Sequence, residues 1–289
     1  MIRGGRLVRS GDLAAVGRVE AWLLDMDGTV TLGEKALPGA VEFFAALAGR
    51  DPVPQHVFVT NNSSHSTDHY LRRLALAGLP ASRREVATST DALAAWFLGA
   101  LTCAGRAPVL YPVGTPDFEA ELVAAGCTLV RDKGQAIDFV AVGFDTTLTY
   151  AKLDAACDYI RTGVPYAAAN PDRVCPLEGG RVLPDCGCIV AFLRTCTDCE
   201  PAVVVGKPST AMIDALIAER GLDRRFVAMV GDRVYTDLAV ARKAGVLCVA
   251  VLSGEATLAE IEASGIDPDL IVDGIGDLAG LLQSGDFRV

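Results

Sequence analysis

The sequence of 289 residues predicts an α/β fold, in which a doubly wound parallel sheet forms a core and a second α/β domain is inserted into it. Near-continuous apolar segments alternate with helical patterns towards both ends of the chain, which is typical of parallel strands covered by helices on both faces. The middle of the chain contains two further β-α-β patterns of similar length. We therefore expect core segments at residues 1–83 and 201–289, with the inserted α/β domain at residues 84–200.

The first strand signal is AWLLDMDGTV at residues 21–30, and it ends in two carboxylates. A short apolar run that stops at Gly28 predicts a buried strand. Asp25 and Asp27 lie two positions apart, so both are expected to face one site at the carboxyl end of this strand. Because unpaired buried carboxylates are costly, the pair indicates a Mg²⁺-dependent site with one aspartate as nucleophile and the other handling protons. A plain acidic loop after a strand is the alternative interpretation.

The second strand signal, HVFVTNN at residues 56–62, ends in small polar side chains. A helix is predicted before it, opened by Pro38 and closed by Gly49. Thr60 and Asn61 bring hydroxyl, amide and backbone N–H donors to the end of a buried strand, which suits a phosphate group. A turn followed by a helix N-cap explains the same residues without a ligand.

The inserted segment is predicted from alternating strand and helix patterns. Its strands are expected at residues 108–114, 128–132, 138–144 and 165–170. Thr115 is placed to cap the helix of the first β-α-β unit. In the helix of the second unit, Tyr150 and Cys157 are expected to face inward.

Nine cysteines are present, and four of them form the spacing C-x-C-x7-C-x2-C: Cys186, Cys188, Cys196 and Cys199. Such a cluster could hold zinc. However, the run CGCIVAFLRTC is apolar and helix-like, and a free cysteine packs there as a small hydrophobic residue. We expect reduced thiols, with metal binding by the cluster left open.

Strand signals resume after residue 200. The segment PAVVVGKPS places Lys207 at the end of an apolar strand, and FVAMVGDRVYTD places Asp232 at the end of another. Asp237 follows five residues later, near a helix start. The last two strand signals lie at residues 247–255 and 270–278.

Parallel sheets bind ligands at the carboxyl ends of their strands, so these polar strand ends are expected to meet. Each of them supplies a group that a phosphoryl transfer needs. Mg²⁺ held by Asp25 and Asp232 would offset the repulsion between an anionic nucleophile and an anionic phosphate. The remaining phosphoryl oxygens would be bound by Lys207, Thr60 and Asn61.

The same constellation distributes the chemical steps. Asp25 would attack phosphorus and give an aspartyl-phosphate. Asp27 would protonate the leaving oxygen and later activate water. The sequence therefore predicts an enzyme that hydrolyses phosphate monoesters, and a non-catalytic phosphometabolite sensor on the same fold is the alternative.

Four short motifs, DMDGTV, TNNS, GKPS and GDRVYTD, occur in this order and resemble the four motifs of the haloacid dehalogenase superfamily of phosphatases. The α/β segment between the second and third motifs resembles the class II cap of subfamily IIA, which includes p-nitrophenyl phosphatases, nucleotide monophosphatases and phosphoglycolate phosphatases. The resemblance covers about residues 20–280. It implies a Rossmann-like core, an α/β cap domain and Mg²⁺-dependent hydrolysis of a small monoester such as a sugar phosphate or a nucleoside monophosphate.

The resemblance also implies residue roles. Asp25 would be the nucleophile and Asp27 the acid/base. Mg²⁺ would be bound by the carboxylates of Asp25 and Asp232 and by the main-chain carbonyl of Asp27. Asp237 would support the site by orienting Lys207 or a metal-bound water.

Two cap segments resemble the loops that select the leaving group in this branch, namely ANPD at residues 169–172 and PDCGC at residues 184–188. Asn170 and Asp172 are thus expected to affect substrate preference. One departure from the family pattern is Thr31, where an aromatic residue is frequent. That difference concerns local packing rather than the catalytic groups.

Other enzyme classes fit less well. A P-loop is excluded because Pro201 stands where its first glycine belongs, and the G-x-G-x-x-G of dinucleotide binding is absent after the first strand. A dehalogenase would not need Asp27. A phosphomutase usually carries its cap between the first two motifs, and residues 31–55 are too few for one.

The net charge of −10 and the isoelectric point near 4.8 argue against a general nucleic-acid or anionic-membrane binder. The N-terminal segment has no apolar region typical of a signal peptide, and no run approaches the ~20 apolar residues of a membrane span. We expect a cytoplasmic protein with a small-molecule substrate, and possible homodimers.

Overall fold

The computed structural model describes residues 7–10, 13–102, 105–177 and 180–284. The chain divides into two compact units. The first comprises Met1–Val59, Leu71–Val86 and Ile213–Val289, and the second comprises Thr60–Tyr70 and Ala87–Met212. The limits of 84 and 200 for an inserted domain stay a prediction, since compactness alone does not define a folding domain.

The strands are β1 (Leu7–Ser10), β2 (Ala21–Leu24), β3 (Thr31–Leu32), β4 (Lys35–Ala36), β5 (Gln55–Thr60), β6 (Val86–Thr88), β7 (Val109–Val113), β8 (Thr128–Leu129), β9 (Phe139–Val142), β10 (Tyr166–Ala168), β11 (Val174–Pro176), β12 (Val182–Pro184), β13 (Val203–Val204), β14 (Val227–Gly231), β15 (Leu247–Val251) and β16 (Leu270–Val272). The α-helices are α1 (Leu13–Gly17), α2 (Ala40–Ala48), α3 (Thr67–Leu76), α4 (Ser89–Ala100), α5 (Pro116–Ala124), α6 (Tyr150–Arg161), α7 (Cys186–Thr197), α8 (Ala211–Arg220), α9 (Ala239–Ala244), α10 (Leu258–Ser264) and α11 (Ile275–Ser284). Short 3₁₀ turns cover Arg83–Glu85 and Arg224–Phe226, and a π-helical turn covers Val234–Leu238.

The larger sheet has seven strands in the order β1-β16-β15-β14-β2-β5-β6. Strands β16, β15, β14, β2 and β5 run parallel to one another, and β1 pairs antiparallel with β16 at the edge. Every residue of β2 and β14 is buried, which matches their continuous apolar sequences AWLL and VAMVG. The α/β fold with a parallel sheet, predicted from the sequence, is confirmed.

The position of β2 beside β14 determines where the acidic residues lie. In the register of this pair, Leu24 is opposite Val230. Asp25 directly follows β2, and Asp232 directly follows Gly231, the last residue of β14. The two acidic strand ends are therefore neighbours at one edge of the sheet.

The second unit contains a five-stranded sheet in the order β13-β10-β9-β7-β8, and its strand pairs are parallel. The two predicted β-α-β units are present as β7-α5-β8 and β9-α6-β10. Thr115 caps α5, its hydroxyl accepting a hydrogen bond of 3.2 Å from the backbone N–H of Phe118. Strands β11 and β12 form a separate antiparallel pair.

Two expectations about packing are wrong. We expected the strand before Lys207 in the same sheet as β2 and β14, but β13 pairs with β10 in the five-stranded sheet. An apolar run of valines is compatible with either sheet, so its sequence does not specify the partner. In α6, Cys157 is buried as expected, whereas Tyr150, the first residue of the helix, is 82% exposed.

The cysteine-rich segment forms helix α7 as expected. Cys186 is fully buried with Ile189 and Leu193 in the apolar core of the second unit. Its thiol donates to the carbonyl of Val142 at 3.5 Å, and burial raises its pKa to about 12. A zinc ligand must be a thiolate, so this environment favours a packed thiol at this position.

Of the helices that the structure describes, none combines the length and the apolar character needed to cross a membrane.

Candidate active site

Three aspartates converge at the edge of the large sheet. One carboxylate oxygen each from Asp25, Asp232 and Asp237 lies within 4.8 Å of the others. Asp232 and Asp237 are each 1% exposed, and Asp25 is partly exposed. Buried like charges at this separation repel strongly, so the arrangement is suited to a bound cation.

Asp232 is held by groups of its own unit. Its Oδ1 accepts from the hydroxyl of Thr29 at 3.2 Å, and its Oδ2 accepts from the backbone N–H of Glu255 at 2.8 Å. Burial, followed by the negative charge of Asp237, raises the pKa of Asp232 to about 6, although the Glu255 N–H acts in the opposite direction. The carboxylate is thus fixed in direction and destabilised in its charged form.

Two glycines allow the backbone to close around this carboxylate. A Cβ atom at Gly254 would lie 1.8 Å from Asp232 Oδ2, and one at Gly28 would lie 2.4 Å from the same atom. Gly28 also has φ +88°, a conformation that side chains of L-residues rarely adopt. Only glycine at both positions leaves room for the observed position of the Asp232 carboxylate.

Asp237 lies on the π-helical turn Val234–Leu238 that follows β14. Its Oδ2 accepts from the backbone N–H of Arg233 at 3.1 Å. The Arg233 guanidinium in turn pairs with Glu255 at 2.8 Å. A single π-turn of this kind is often found at functional sites, and here it turns a third carboxylate towards the other two.

The donor set fits Mg²⁺. Hard divalent cations bind carboxylate and carbonyl oxygens, and Mg²⁺ typically takes one or two carboxylates together with water and phosphate oxygens. The raised pKa of Asp232 is the expected property of a ligand held in place before its cation binds. Among the residues described, the group with ligand atoms close enough for a metal ion is Asp25, Asp232 and Asp237.

Asp27 lies beside this group but has a different partner. Both of its oxygens accept from the guanidinium of Arg73, with Nη1 to Oδ2 at 3.2 Å and a shorter contact from Nη2 to Oδ1. Nη2 also donates to the hydroxyl of Thr31 at 2.7 Å. The expected acid/base residue is therefore oriented by an arginine on helix α3.

The second unit holds Asn61 and Lys207 together. Asn61 Oδ1 accepts from the backbone N–H of Lys207 at 2.8 Å, and its Nδ2 donates to the Lys207 carbonyl at 2.9 Å. Lys207 is 1% exposed and Thr60 is 4% exposed. The Thr60 hydroxyl accepts from the backbone N–H of Asn62 at 3.1 Å, which leaves its own proton to donate elsewhere.

Asn170 and Asp172 contact the same asparagine. Asn170 Nδ2 donates to the Asn61 carbonyl at 2.6 Å, and Asn61 Nδ2 is 3.3 Å from each oxygen of Asp172. Both residues are almost fully buried, at 0% and 3% exposure. Their side chains thus support Asn61, and a role in substrate preference stays a prediction.

The structure places the sequence-predicted residues in two groups. In the first unit are Asp25, Asp27, Asp232 and Asp237; in the second unit are Thr60, Asn61, Lys207, Asn170 and Asp172.

Three contributors were missed from the sequence. Gly254 and Glu255 follow strand β15, so the rule that ligands bind at carboxyl ends of parallel strands could have found them. Arg73 lies on a helix and carries no motif, so the sequence offered no signal for it.

The chain is similar to known hydrolases in sequence and in structure. Sequence models of two families match the chain, described as haloacid dehalogenase-like hydrolase over residues 22–128 and as HAD-hydrolase-like over residues 204–278. A glycerol-3-phosphate phosphatase of Gallus gallus is 34% identical over 313 residues, spanning 97% of this chain and 98% of that protein.

Solved structures give the same result. A 4-nitrophenylphosphatase from Thermotoga maritima has a TM-score of 0.86 at 36% identity, covering 93% of this chain and 99% of that one. A glycerol phosphate phosphatase from Mycobacterium tuberculosis, solved in complex with magnesium, has a TM-score of 0.80 at 31% identity, covering 95% of this chain and 80% of that one.

The chain therefore belongs to the haloacid dehalogenase superfamily of hydrolases. Within that superfamily it is a phosphoric monoester hydrolase of subfamily IIA, and the resemblance stated from its motifs is confirmed.

We expect Mg²⁺ to stabilise the fold in a pH-dependent way. The pKa of Asp232 is raised from 3.8 to about 6 in the folded protein. Between these two pH values the folded protein binds a proton on Asp232 that the unfolded chain has released. The contribution of this group to stability therefore falls as the pH rises through this range. Above this range the cation replaces the proton. Mg²⁺ at ~100 times its Kd should raise the Tm by about 5 °C near pH 7.5, and clearly less near pH 5.

Thermal unfolding followed by circular dichroism, with and without MgCl₂, measures the Tm at each of the two pH values. In Asp232→Asn the Tm without metal should be higher than in the wild type, because one of the buried like charges is gone, and the response to Mg²⁺ should vanish. An equal response of wild type and variant to Mg²⁺ would show that the ion binds elsewhere.

Gly254→Ala should weaken Mg²⁺ binding. The new Cβ would overlap Asp232 Oδ2, so the carboxylate must move away from the other two aspartates. We expect the Kd for Mg²⁺ to rise by about tenfold or more, measured by calorimetry, since displaced groups around metal ligands cost 10–100-fold. Gly280→Ala is the matched control, because a Cβ there meets nothing within 4 Å. Equal Kd values for both variants would contradict the packing argument.

Proposed function

We propose that this phosphatase releases phosphate from small polyol or sugar monophosphates, represented by glycerol 3-phosphate, by forming a phosphoryl ester on Asp25. The observation that carries the catalytic part is the cluster of Asp25, Asp232 and Asp237, whose carboxylate oxygens lie within 4.8 Å of one another. The glycerol phosphate phosphatases among the relatives support the substrate class.

Mg²⁺ is the cofactor, and its site is assigned to the carboxylates of Asp25 and Asp232 and the main-chain carbonyl of Asp27. Asp237 supports the site through its contact with the backbone of Arg233. The bound ion supplies positive charge against the phosphoryl oxygens, so that an anionic nucleophile can approach an anionic ester.

The protein residues carry the covalent steps. An oxygen of Asp25 forms a bond to phosphorus while the bond from phosphorus to the ester oxygen breaks. Asp27 gives a proton to that leaving oxygen. In the second half-reaction Asp27 takes a proton from water, whose oxygen bonds to phosphorus and releases Asp25. The net reaction consumes one water and yields an alcohol and inorganic phosphate.

The phosphoryl oxygens are assigned to Lys207 and Thr60. A buried ammonium group stabilises the negative charge that develops in transfer, and the Thr60 hydroxyl retains a proton to donate. Asn61 was predicted to bind phosphate directly. Its side chain is engaged with the Lys207 backbone and Asp172, so we assign it to holding Lys207 in place.

Asn170 and Asp172 affect substrate preference through Asn61, by the contacts of their side chains. A cytoplasmic location and homodimers are part of the proposal. The net charge of −10 argues against nucleic acid and anionic membranes as partners.

The test compares wild type with Asp25→Asn. Wild-type protein with MgCl₂ should release phosphate from p-nitrophenyl phosphate and from glycerol 3-phosphate, and turnover should stop when the metal is chelated. Because the nucleophile is removed, kcat of the variant should fall by about 10³-fold or more. Glu42→Gln, an exposed acidic position on α2, is the matched control and should keep full activity.

Mass spectrometry of acid-quenched wild-type enzyme should find a phosphoryl group on Asp25. If no ester in a broad panel of phosphates is hydrolysed while phosphate esters still bind, the alternative of a non-catalytic phosphometabolite sensor replaces this proposal. Strong preference for nucleoside monophosphates over glycerol 3-phosphate would overturn the substrate class alone.

A further inference from the structure

Helix α3 contributes one residue to the catalytic edge of the sheet. The guanidinium of Arg73 faces the carboxylate of Asp27 in a two-point arrangement, Nη1 with Oδ2 and Nη2 with Oδ1. Such fork-to-fork pairs fix the plane of a carboxylate as well as its position, which a lysine cannot do.

The arginine is itself anchored to the loop that carries Asp27. Its Nη2 donates to the hydroxyl of Thr31 at 2.7 Å, and that hydroxyl donates to the carbonyl of Met26 at 3.3 Å. Thr31 is fully buried and forms an isolated bridge with Asp27. Position 31 departs from the family pattern in the sequence. In the structure its hydroxyl links the Arg73 guanidinium to the carbonyl of Met26.

A purely stabilising role explains this arrangement poorly. The Arg73 side chain is 11% exposed, and its Nε is buried without a hydrogen-bond partner among the residues described. A buried N–H group left unpaired in this way destabilises a fold, because its hydration is lost without a replacing hydrogen bond. Helix α3 is already held by apolar packing at Leu74, which is fully buried.

The pair still leaves Asp27 free to act. A carboxylate has about four lone-pair sites, and the two N–H groups of Arg73 occupy two of them. The Asp27 side chain is 35% exposed, so it stays partly accessible despite its contact with the arginine. An acid/base residue that is held in place and still accessible is prepared for proton transfer.

We propose that Arg73, supported by Thr31, is a positioning residue that orients the Asp27 carboxylate for proton transfer to the leaving oxygen. The inference rests on the proposed function, because it assigns a task within that reaction. Arg73 does not touch the ester. It acts through the direction in which the carboxylate of Asp27 points.

The two esters differ in whether the leaving group needs a proton. The ratio of their rates therefore reports on proton transfer, and a loss of stability alone would leave that ratio unchanged. A p-nitrophenolate anion is stable and departs without a proton, whereas the alkoxide of glycerol needs one. A misdirected Asp27 should therefore slow the first half-reaction, in which Asp25 displaces the leaving group, far more with glycerol 3-phosphate than with p-nitrophenyl phosphate. Hydrolysis of the aspartyl-phosphate is common to both esters, so the two half-reactions must be measured separately. General acid catalysis contributes about 10²–10⁴-fold, which sets the range of the expected loss.

The experiment measures the single-turnover rate constant of alcohol release, and KM, for Arg73→Met with each ester in MgCl₂. We expect the rate constant of alcohol release to fall by about 10²-fold for glycerol 3-phosphate and by at most about threefold for p-nitrophenyl phosphate, with both KM values within about twofold. Thr31→Val should show the same pattern with a smaller loss. Arg72→Met, at the exposed neighbouring position, is the matched control and should resemble the wild type.

A double-mutant cycle adds a second criterion. Asp27→Asn should show the same dependence on leaving group in the rate of alcohol release, and Arg73→Met in that background should cause no further loss, since the arginine acts through the aspartate. Additive losses would overturn the inference. So would equal losses on both esters in Arg73→Met or, if that variant unfolds, in Thr31→Val.

Failure of the underlying function looks different from failure of this inference. If the wild-type enzyme releases no phosphate from either ester, both the proposed function and the role of Arg73 are wrong. Wild-type activity that Asp25→Asn abolishes, together with equal rates of alcohol release from glycerol 3-phosphate by the Arg73 variant and the wild type, removes only the role of Arg73. A rate increase in Arg73→Met would also overturn it, because the contact would then restrain Asp27.

Discussion

The repulsion between three aspartates at one edge of the large sheet is the constraint on which the rest of this site depends. Asp25, Asp232 and Asp237 offer oxygens within 4.8 Å of one another, and two of the three side chains are almost fully buried. Such a cluster is tolerated only where the surrounding backbone is fixed and a cation can neutralise it. The glycines at positions 28 and 254 and the N–H of Glu255 provide the fixed surroundings, and the superfamily's magnesium chemistry provides the charge.

A different local structural feature positions each of the side chains assigned to the site. Adjacent parallel strands bring Asp25 and Asp232 together, and a π-helical turn adds Asp237. In the second unit, the amide of Asn61 pairs with both backbone groups of Lys207. Catalysis of phosphoryl transfer depends mainly on charged groups held at fixed positions. These contacts hold such groups in position within each unit.

The sequence predicted the α/β class, the strands that end in acidic residues and the family, because apolar runs followed by Asp-x-Asp or Gly-Asp are local patterns. It did not predict which sheet β13 joins, since three valines satisfy either one, or the outward position of Tyr150 at the start of α6. It also gave no sign of Arg73. That arginine is 46 residues from Asp27, and only the path of helix α3 brings the two together.

The contact between Asn61 and Asp172 joins two sequence positions that are 111 residues apart, so that each side chain depends on the other. An aspartate in place of Asn61 would set two carboxylates face to face inside the second unit, and a leucine would leave Asp172 without its amide donor. A substitution at one position alone would disturb the backbone of Lys207, because the Asn61 side chain pairs with it. Library designs that diversify the loop at residue 172 for new substrates should therefore vary residue 61 in concert, or leave both untouched.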